Sequence, residues 1–338
     1  MPAHARVYWH GPGNPLGKLH RAGIRDFERH GWNCAPLDAD VLPAFWWSSR
    51  RAGDFPICGP GPLVRPLPHE RTDCVNDKVS LARLLAASRI DPPSCAGDDL
   101  AALDALPGPR VYVKHRRGVK GQSVRPLARD AALRWLSEQS PAQRANFVVQ
   151  AEVPPALLPD GRRFVLRSHV LVIARARAPS AYVHRDVVVL PHAAPDSDGT
   201  QASHVSQAGR GHPPPTLLAD AGAEHPAGSA WAQLPSLVYE LLRAAAAELL
   251  PPPDAPRDEG SLLYSLLGLD LVVDRSGRLV LLEANSHPAI ADGTMAAVPR
   301  SVYDNLVGGV LRLLVLPHLE DREPDASGWE RVKDGWAG

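Results

Sequence analysis

The chain has 338 residues, and its 37 Lys and Arg residues balance its 37 Asp and Glu residues, so the formal net charge is zero. This balance argues against sequence-independent nucleic-acid binding, because such binding needs a net positive potential. Hydrophobic residues make up 44% of the chain, enough to build a core. We therefore expect a folded protein of two or three lobes with no nucleic-acid partner, in which any basic site is local.

The cysteines and the apolar runs suggest a compartment. No apolar signal core stands at the N-terminus and no apolar run reaches membrane-spanning length, so we expect no membrane association. The cysteines lie far apart and form no C-x-x-C pair, which disfavours zinc. They are Cys34, Cys58, Cys74 and Cys95. We expect reduced thiols in a cytoplasmic protein.

The first 75 residues favour a small α/β domain. Residues 5–9 predict a strand, residues 16–28 have mixed helical spacing, and residues 32–37 predict a second strand. A strand, a helix and a strand in this order indicate parallel pairing.

A basic, glycine-containing loop follows the predicted strand at 111–114. Lys114, Gly118, Lys120 and Gly121 combine positive charge with glycines that let backbone N–H groups approach phosphate oxygens. The Walker pattern G-x-x-x-x-G-K-[ST] is absent. A solvated basic hairpin is the alternative interpretation.

Three arginines are candidates for binding anions. Arg163 and Arg167 lie four residues apart on one predicted strand and so share a face, and Arg185 falls on the predicted partner strand. Guanidinium groups on one face suit phosphate or carboxylate. We take Arg167 and Arg185 as candidate catalytic residues, with surface arginines on a sheet edge as the alternative.

The strand at 147–153 ends just before two prolines. Gln150, Glu152 and Val153 stand at this end, where exposed backbone groups and an apolar side chain could hold a flat heterocycle. An ordinary core strand explains the same pattern.

An acidic hairpin near the C-terminus is the most informative motif. The turn sequence at 274–277 has Asp first and Gly fourth, and it would place Asp270 nearly opposite Glu283. Glu283 and Asn285 share one strand face, and both strands are apolar on both faces, as buried strands are. Buried carboxylates need a neutralising cation, and oxygen ligands suit Mg2+. The alternative is a pair of exposed turn carboxylates with a capping Asn.

In chain order, these motifs resemble the ATP-grasp fold, and within it the tubulin–tyrosine-ligase-like ligases. The resemblance runs from about residue 76 to residue 316. It includes the Asp77-Lys78 pair before a helix, the 114–121 loop, the strand with Gln150, and the arginine strand. Its most specific parts are Leu-Leu-Gly-x-Asp at 266–270 and Leu-Glu-x-Asn-x-x-Pro at 282–288.

The resemblance implies a fold that is α/β and α+β, an ATP-grasp fold with an N-terminal α/β (pre-ATP-grasp) domain. It divides the chain into an N-terminal domain (1–75), a central lobe (76–155), a C-terminal lobe with the magnesium site (156–318) and a tail (319–338). From residue 320 onward we expect a loosely held segment.

The resemblance also implies residue roles. Lys114 and Arg163 would contact ATP phosphates under the loop 118–121, and Gln150 to Val153 would line the adenine site. Arg167 would steady the γ-phosphate. Mg2+ would be held by Asp270, Glu283 and Asn285.

Three positions depart from the family pattern. Val165 stands where the family has Asp, Leu190 stands near a family Arg, and Gln207 replaces an Asn. The first two positions help tubulin ligases to recognise the amino acid and the acceptor. ATP chemistry is therefore expected without tubulin or tyrosine as substrate.

The expected function is an ATP-dependent carboxylate–amine ligase that forms an amide through an acyl phosphate, acting on an amino acid or peptide. Three alternatives stay open: a small-molecule kinase of the same fold, a non-catalytic nucleotide-binding regulator, and a structural interaction protein. The sequence leaves the substrates, the general base and the oligomeric state undetermined.

Overall fold

The structure is a computed structural model, and it describes residues 7–10, 27–35, 45–47, 64–118, 121, 123–174, 179–206, 212–222, 224–252, 262–286, 288 and 300–337. The strands in chain order are β1 (Val7–His10), β2 (Asn33–Ala35), β3 (Phe45–Trp47), β4 (Val64–Pro66), β5 (Ser94–Ala96), β6 (Arg110–His115), β7 (Val124–Ala128), β8 (Phe147–Ala151), β9 (Arg162–Ala174), β10 (Ser180–His184), β11 (Val188–Pro195), β12 (Thr216–Leu217), β13 (Leu262–Val273), β14 (Leu279–Asn285) and β15 (Trp329–Arg331).

The strands form two sheets, so the described chain has a mixed α/β fold. The small sheet has four antiparallel strands in the order β5-β8-β6-β7. The large sheet has eleven strands and follows the path β12-β11-β9-β13-β4-β3-β1-β2, with β10, β14 and β15 attached beside it.

Helices cover both sheets. The α-helices are His69–Asn76, Lys78–Leu84, Leu100–Asp104, Arg129–Ser137, Pro141–Arg144, Gln201–His204, Leu234–Leu249, Arg300–Val310 and Leu316–Glu320, and a π-helical segment spans Leu311–Val315. Among the residues the structure describes, no helix is both long and apolar enough to cross a membrane.

The two longest strands, β9 and β13, lie side by side in the middle of the large sheet. One face of β9 packs Val170 and Val172 in the core that includes helix Leu234–Leu249, and the other packs Leu171 and Ile173 in the core that includes helix Arg300–Val310. This two-sided burial explains the apolar residues on both faces of β9 and β13, which for β13 the sequence predicts.

The predicted hairpin turn between β13 and β14 is confirmed. Gly277 donates its N–H to the Asp274 carbonyl at 2.9 Å and adopts φ 84°, a left-handed conformation that glycine takes without strain. The turn sets the register in which Val273 pairs with Leu279, and a register shift between Asp270 and Leu271 then brings Glu283 opposite Asp270. The two acidic residues therefore lie opposite each other, as expected.

The N-terminal strands are continuous with the large sheet. Strands β1 and β2 pair in parallel, as the sequence predicts, and β4 pairs in parallel with β13. The division of the chain into three lobes and a tail stays a prediction.

The segment after residue 320 differs from the loosely held tail expected from the sequence. Strand β15 pairs with β10, Trp329 and Val332 are buried, and so is Trp336. Burial of two large indole rings and a β-branched side chain anchors this segment to the rest of the fold.

Candidate functional site

The two sheets face each other across a cleft. Strands β9, β13 and β14 of the large sheet contribute Arg163, Val165, Asp270, Val272, Leu282 and Glu283. The small sheet contributes Tyr112, Lys114, Val124, Gln150 and Ala151. One wall thus carries two carboxylates and an apolar strip, and the other carries a buried lysine.

A row of charged residues crosses the large sheet. Asp270 pairs with Arg167 on β9 and with Glu283 on β14, so all three side chains share one face. Arg167 donates from Nε and Nη2 to the two oxygens of Asp270, each at 2.9 Å. This bidentate geometry fixes the Asp270 carboxylate firmly.

A β-bulge explains how two consecutive residues of β14 reach the cleft. Asp270 pairs with Glu283 while the next residue, Leu271, pairs with Leu281, so Leu282 is an extra residue in β14. Leu282 and Glu283 both line the cleft. The bulge therefore places an apolar side chain directly beside an acidic one.

The third predicted metal ligand lies further along β14. Asn285 pairs with Gly268 and is not among the cleft-lining residues that the structure describes. A Cβ at Gly268 would lie 2.7 Å from the Pro288 Cβ, so this glycine permits close approach of the chain after β14. The glycine of the Leu-Leu-Gly-x-Asp motif thus has a packing reason.

Lys78 belongs to the site, although the sequence analysis treated it only as part of a helix start. Its Nζ lies 3.2 Å from Glu283 Oε2 and donates to the Gly118 carbonyl at 2.9 Å. The signal for it was its place beside Asp77, whose carboxylate caps the helix by accepting from Val79 and Ser80 at 3.1 Å.

Burial and neighbouring charges shift the ionisation of the cleft residues. Burial lowers the pKa of Lys114 to about 8, although Glu283 opposes this change. Burial raises the pKa of Asp270 against the opposite effect of Arg167, and Glu283 adds to the rise. Burial would also raise the pKa of Glu283, but Lys78 and Lys114 outweigh it and lower that pKa to about 2.

Arg163 lies in the cleft but is engaged by protein groups. It donates to Asp196 Oδ1 at 2.5 Å, to the Tyr112 hydroxyl at 2.7 Å and to Glu152 Oε1 at 2.7 Å. Tyr112 and Glu152 belong to the small-sheet side, and Asp196 follows β11 of the large sheet. Arg163 therefore joins the two sheets, a role that differs from the phosphate contact implied by the resemblance.

Two histidines near this junction had no assigned role in the sequence analysis. His204 contacts Arg110, and its Nδ1 lies 3.1 Å from the Tyr112 hydroxyl. His192 Nδ1 lies 2.9 Å from the Ser203 carbonyl, which can only accept, so this nitrogen carries the proton. Burial lowers the pKa of His192 to about 4.

The other sequence candidates fall in different places. Gln150, Val153, Gly118 and Gly121 line the cleft, and Glu152 binds Arg163. Lys120 lies outside the described residues. The prediction that Arg185 lies on a strand is wrong, because it stands in the bend between β10 and β11, is exposed, and does not line the cleft.

The donor chemistry fits a hard divalent cation. Asp270 and Glu283 offer adjacent carboxylate oxygens on one sheet face. No cluster of three or more His, Cys, Asp or Glu side chains within the described ranges could hold a metal ion. Two protein carboxylates suit an ion such as Mg2+, which keeps water or phosphate oxygens in its other positions.

Comparison with known proteins adds one relative. No family model matches the chain. A probable alpha-L-glutamate ligase of Xylella fastidiosa (strain M12) is 28% identical over 177 residues, which cover 49% of this chain and 58% of the relative. The match therefore spans little more than half of that protein's length. It supports an ATP-dependent amino-acid ligase in general terms, and it does not support the narrower resemblance to tubulin–tyrosine-ligase-like enzymes.

Proposed function

We propose that this protein is an ATP-dependent carboxylate–amine ligase with an ATP-grasp arrangement, in which the nucleotide binds between the two sheets. The observation that carries the proposal is the row Arg167–Asp270–Glu283, whose two carboxylates line the same cleft as the buried Lys114. Opposed carboxylates and cations in one cleft suit a triphosphate with its metal ion.

The cleft offers distinct surroundings for the base and the phosphates. Val165, Val272 and Leu282 line the cleft from the large sheet, and Val153, which follows β8, lines it from the small-sheet side. These apolar groups would hold the base. Lys114 would meet the phosphate oxygens, because its compact ammonium group binds them without a strict geometric demand.

Asp270 and Glu283 would hold Mg2+ at the phosphate end of the cleft. When bound, the metal ion supplies neutralisation of the phosphate charge, which lowers the barrier to attack by an anionic carboxylate. The protein's own contribution is to hold its carboxylates still, as the bidentate Arg167–Asp270 pair does.

The proposed reaction has two balanced steps. The substrate carboxylate attacks the γ-phosphorus of ATP and releases ADP, which gives an acyl phosphate. A neutral amine then attacks the acyl carbon and expels phosphate, and the amine's proton leaves to a base or to solvent. Arg167 would stabilise the transferring phosphoryl group, and positioning contributes most of the acceleration.

The substrate class follows from two observations. The relative's printed name makes L-glutamate the first carboxylate and amine to test. Val165 and Leu190, where tubulin ligases have charged residues, pair directly across β9 and β11 and are buried. An apolar pair there offers no charge to bind a tyrosine or tubulin group, so we propose a different amino acid or peptide.

Oxygen transfer tests the proposal. The protein is incubated with MgATP, amines and carboxylates labelled with ¹⁸O, starting with L-glutamate, and ADP, phosphate and amide products are followed by mass spectrometry. The proposal predicts an amide and one labelled oxygen in the released phosphate. A phosphorylated hydroxyl without free phosphate would show a kinase, and ATP binding without turnover would show a regulator; either result overturns the ligase proposal.

A further inference from the structure

Lys78, at the start of a helix, contacts both the large sheet and the glycine-containing loop. Its ammonium lies 3.2 Å from Glu283 Oε2 on the large sheet and donates to the Gly118 carbonyl at 2.9 Å in the glycine-containing loop. Its side chain is only 10% exposed. Lys78 and Glu283 both line the cleft, so the ammonium lies beside a carboxylate oxygen that a metal ion would use.

The start of helix Lys78–Leu84 holds this ammonium in place. The Lys78 backbone N–H donates to the Arg116 carbonyl at 3.1 Å, and Asp77 Oδ2 accepts from Arg116 Nε at 2.7 Å. Asp77 also caps the helix through Val79 and Ser80. Lys78 is therefore anchored to the loop by its backbone, its neighbour and its own side chain.

Positive charges outnumber negative charges around Asp270 and Glu283. Arg167 pairs with Asp270, Lys78 pairs with Glu283, and the buried Lys114 interacts electrostatically with both carboxylates. Three cations thus face two anions. A divalent ion entering alone would be repelled by the excess charge and would have to displace Lys78 from Glu283.

A triphosphate changes this balance, because its oxygens can accept from Lys78 and Lys114 while they also bind the metal ion. We propose that the Lys78 ammonium occupies the metal position at Glu283 when no nucleotide is bound. A divalent ion then binds Asp270 and Glu283 only together with phosphates, because the phosphates draw the Lys78 ammonium away from Glu283. The same ammonium donates to the Gly118 carbonyl, so this hydrogen bond would rearrange when the ammonium leaves Glu283. The inference rests on the proposed function for the identity of the anion.

Manganese binding without turnover provides the test. Mn2+ replaces Mg2+, and free Mn2+ is measured by electron paramagnetic resonance with the full chain, alone and with an ATP analogue whose β–γ bridge cannot be cleaved. The wild-type protein should bind Mn2+ at least roughly tenfold more tightly with the analogue, within the range typical of coupled sites. Equal affinity in both conditions would overturn the proposal.

Variants distinguish the effect of Lys78 on metal entry from the binding of the metal ion by Glu283. Lys78→Met should bind Mn2+ without nucleotide at least roughly tenfold more tightly than the wild type, a gain that adding Glu283→Gln should remove. Lys78→Gln, which keeps a donor for the Gly118 carbonyl, guards against misfolding of the first variant. The exposed Lys333→Met serves as the matched control and should leave binding unchanged. If neither Lys78 variant binds Mn2+ more tightly than the wild type, the proposed role of Lys78 is overturned.

The two proposals fail in different ways. Nucleotide-independent Mn2+ binding together with amide formation from MgATP would overturn the role of Lys78 and leave the ligase intact. Failure of the protein to bind the analogue at all would overturn the proposed function.

Discussion

Arg167 and Asp270 face each other across β9 and β13, and the guanidinium donates to both carboxylate oxygens at 2.9 Å. Their side chains are 14% and 10% exposed, so the pair is largely buried, and Asp270 of the pair lines the cleft. Glu283 lies on the other side of Asp270 in the same row. One arginine therefore orients the carboxylate on which the proposed metal site depends.

Arg167→Met should destabilise the protein, because it leaves the buried Asp270 without its cation. Loss of one partner of a buried pair costs about 3–5 kcal/mol, and urea unfolding measures the loss. The double variant Arg167→Met with Asp270→Asn should recover much of it, because both charges are then removed. A single variant as stable as the wild type would show that the pair contributes little.

The lowered pKa of Lys114 predicts how the affinity for ATP depends on pH. Because burial lowers its pKa to about 8, the ammonium form that attracts phosphate dominates below that pH and is lost above it. The Kd for ATP can be followed by calorimetry over about pH 6.5–9.5, a range that brackets this pKa. It should be constant below about pH 7 and rise above about pH 8.

Lys114→Arg is the control for this pH profile, because a guanidinium stays charged throughout the range. Its affinity for ATP should not weaken above pH 8, whatever its absolute value. A wild-type profile that stays flat through pH 9 would contradict a contact between Lys114 and the phosphates.

The same shift affects stability with a definite sign. The folded protein holds the Lys114 proton less tightly than the unfolded chain, whose lysine titrates near its model value of 10.5. Folding stability from this group is therefore lowest below pH 8 and rises between about pH 8 and 10.5. Comparing pH titrations of the free energy of unfolding for the wild type and Lys114→Met isolates this contribution.

Gly268→Ala tests the close approach of Pro288 to β13. The added Cβ would lie 2.7 Å from the Pro288 Cβ, so the segment after β14 must shift. Overpacking of this kind costs about 1–3 kcal/mol, and it should also reduce turnover because the acidic row is adjacent. Thermal unfolding and ADP release measure the two effects.

Gly108→Ala separates destabilisation from damage to the site. This glycine has φ 80° with no atom within 4 Å of an added Cβ, so the substitution strains the backbone without crowding. It should lower the melting temperature and leave turnover unchanged. Equal turnover in the Gly268 and Gly108 variants would contradict a link between Pro288 and the site.

Arg163 should act through Glu152 to hold the two sheets together. Its guanidinium joins Glu152 at 2.7 Å to Asp196 at 2.5 Å, and removal of either partner leaves buried polar groups unpaired. A double-mutant cycle with Arg163→Gln and Glu152→Gln should give a coupling energy of about 0.5–3 kcal/mol in urea unfolding. Additive effects would mean that the two residues act independently.

The sequence predicts much of the hairpin and less of the cleft. The turn at 274–277 sets the register of the hairpin next to it, and the bulge at Leu282, which the turn sequence does not predict, then brings Glu283 opposite Asp270. Helix Leu234–Leu249 likewise carries apolar residues at helical spacing, and these form its buried face. Local patterns determine the turn and this helix.

The remaining features depend on contacts between distant residues. No local pattern shows that Lys78 reaches Glu283, or that Arg163 is shared between Asp196 and Glu152. The strand predicted for Arg185 fails because β10 ends at His184, and the exposed turn follows. The C-terminal strand β15 was missed because three residues carry little periodicity, and only pairing with β10 defines them.

The most direct test of the central claim is ADP release from MgATP by Glu283→Gln in the presence of the carboxylate and amine that support wild-type turnover. The substitution removes the negative charge of Glu283 beside Asp270 with little change in side-chain shape. Glu240→Gln on helix Leu234–Leu249 is the matched control, because this side chain is 44% exposed and does not line the cleft. The account predicts that Glu283→Gln folds normally and loses turnover, while the control keeps it. Full turnover by Glu283→Gln would contradict the account.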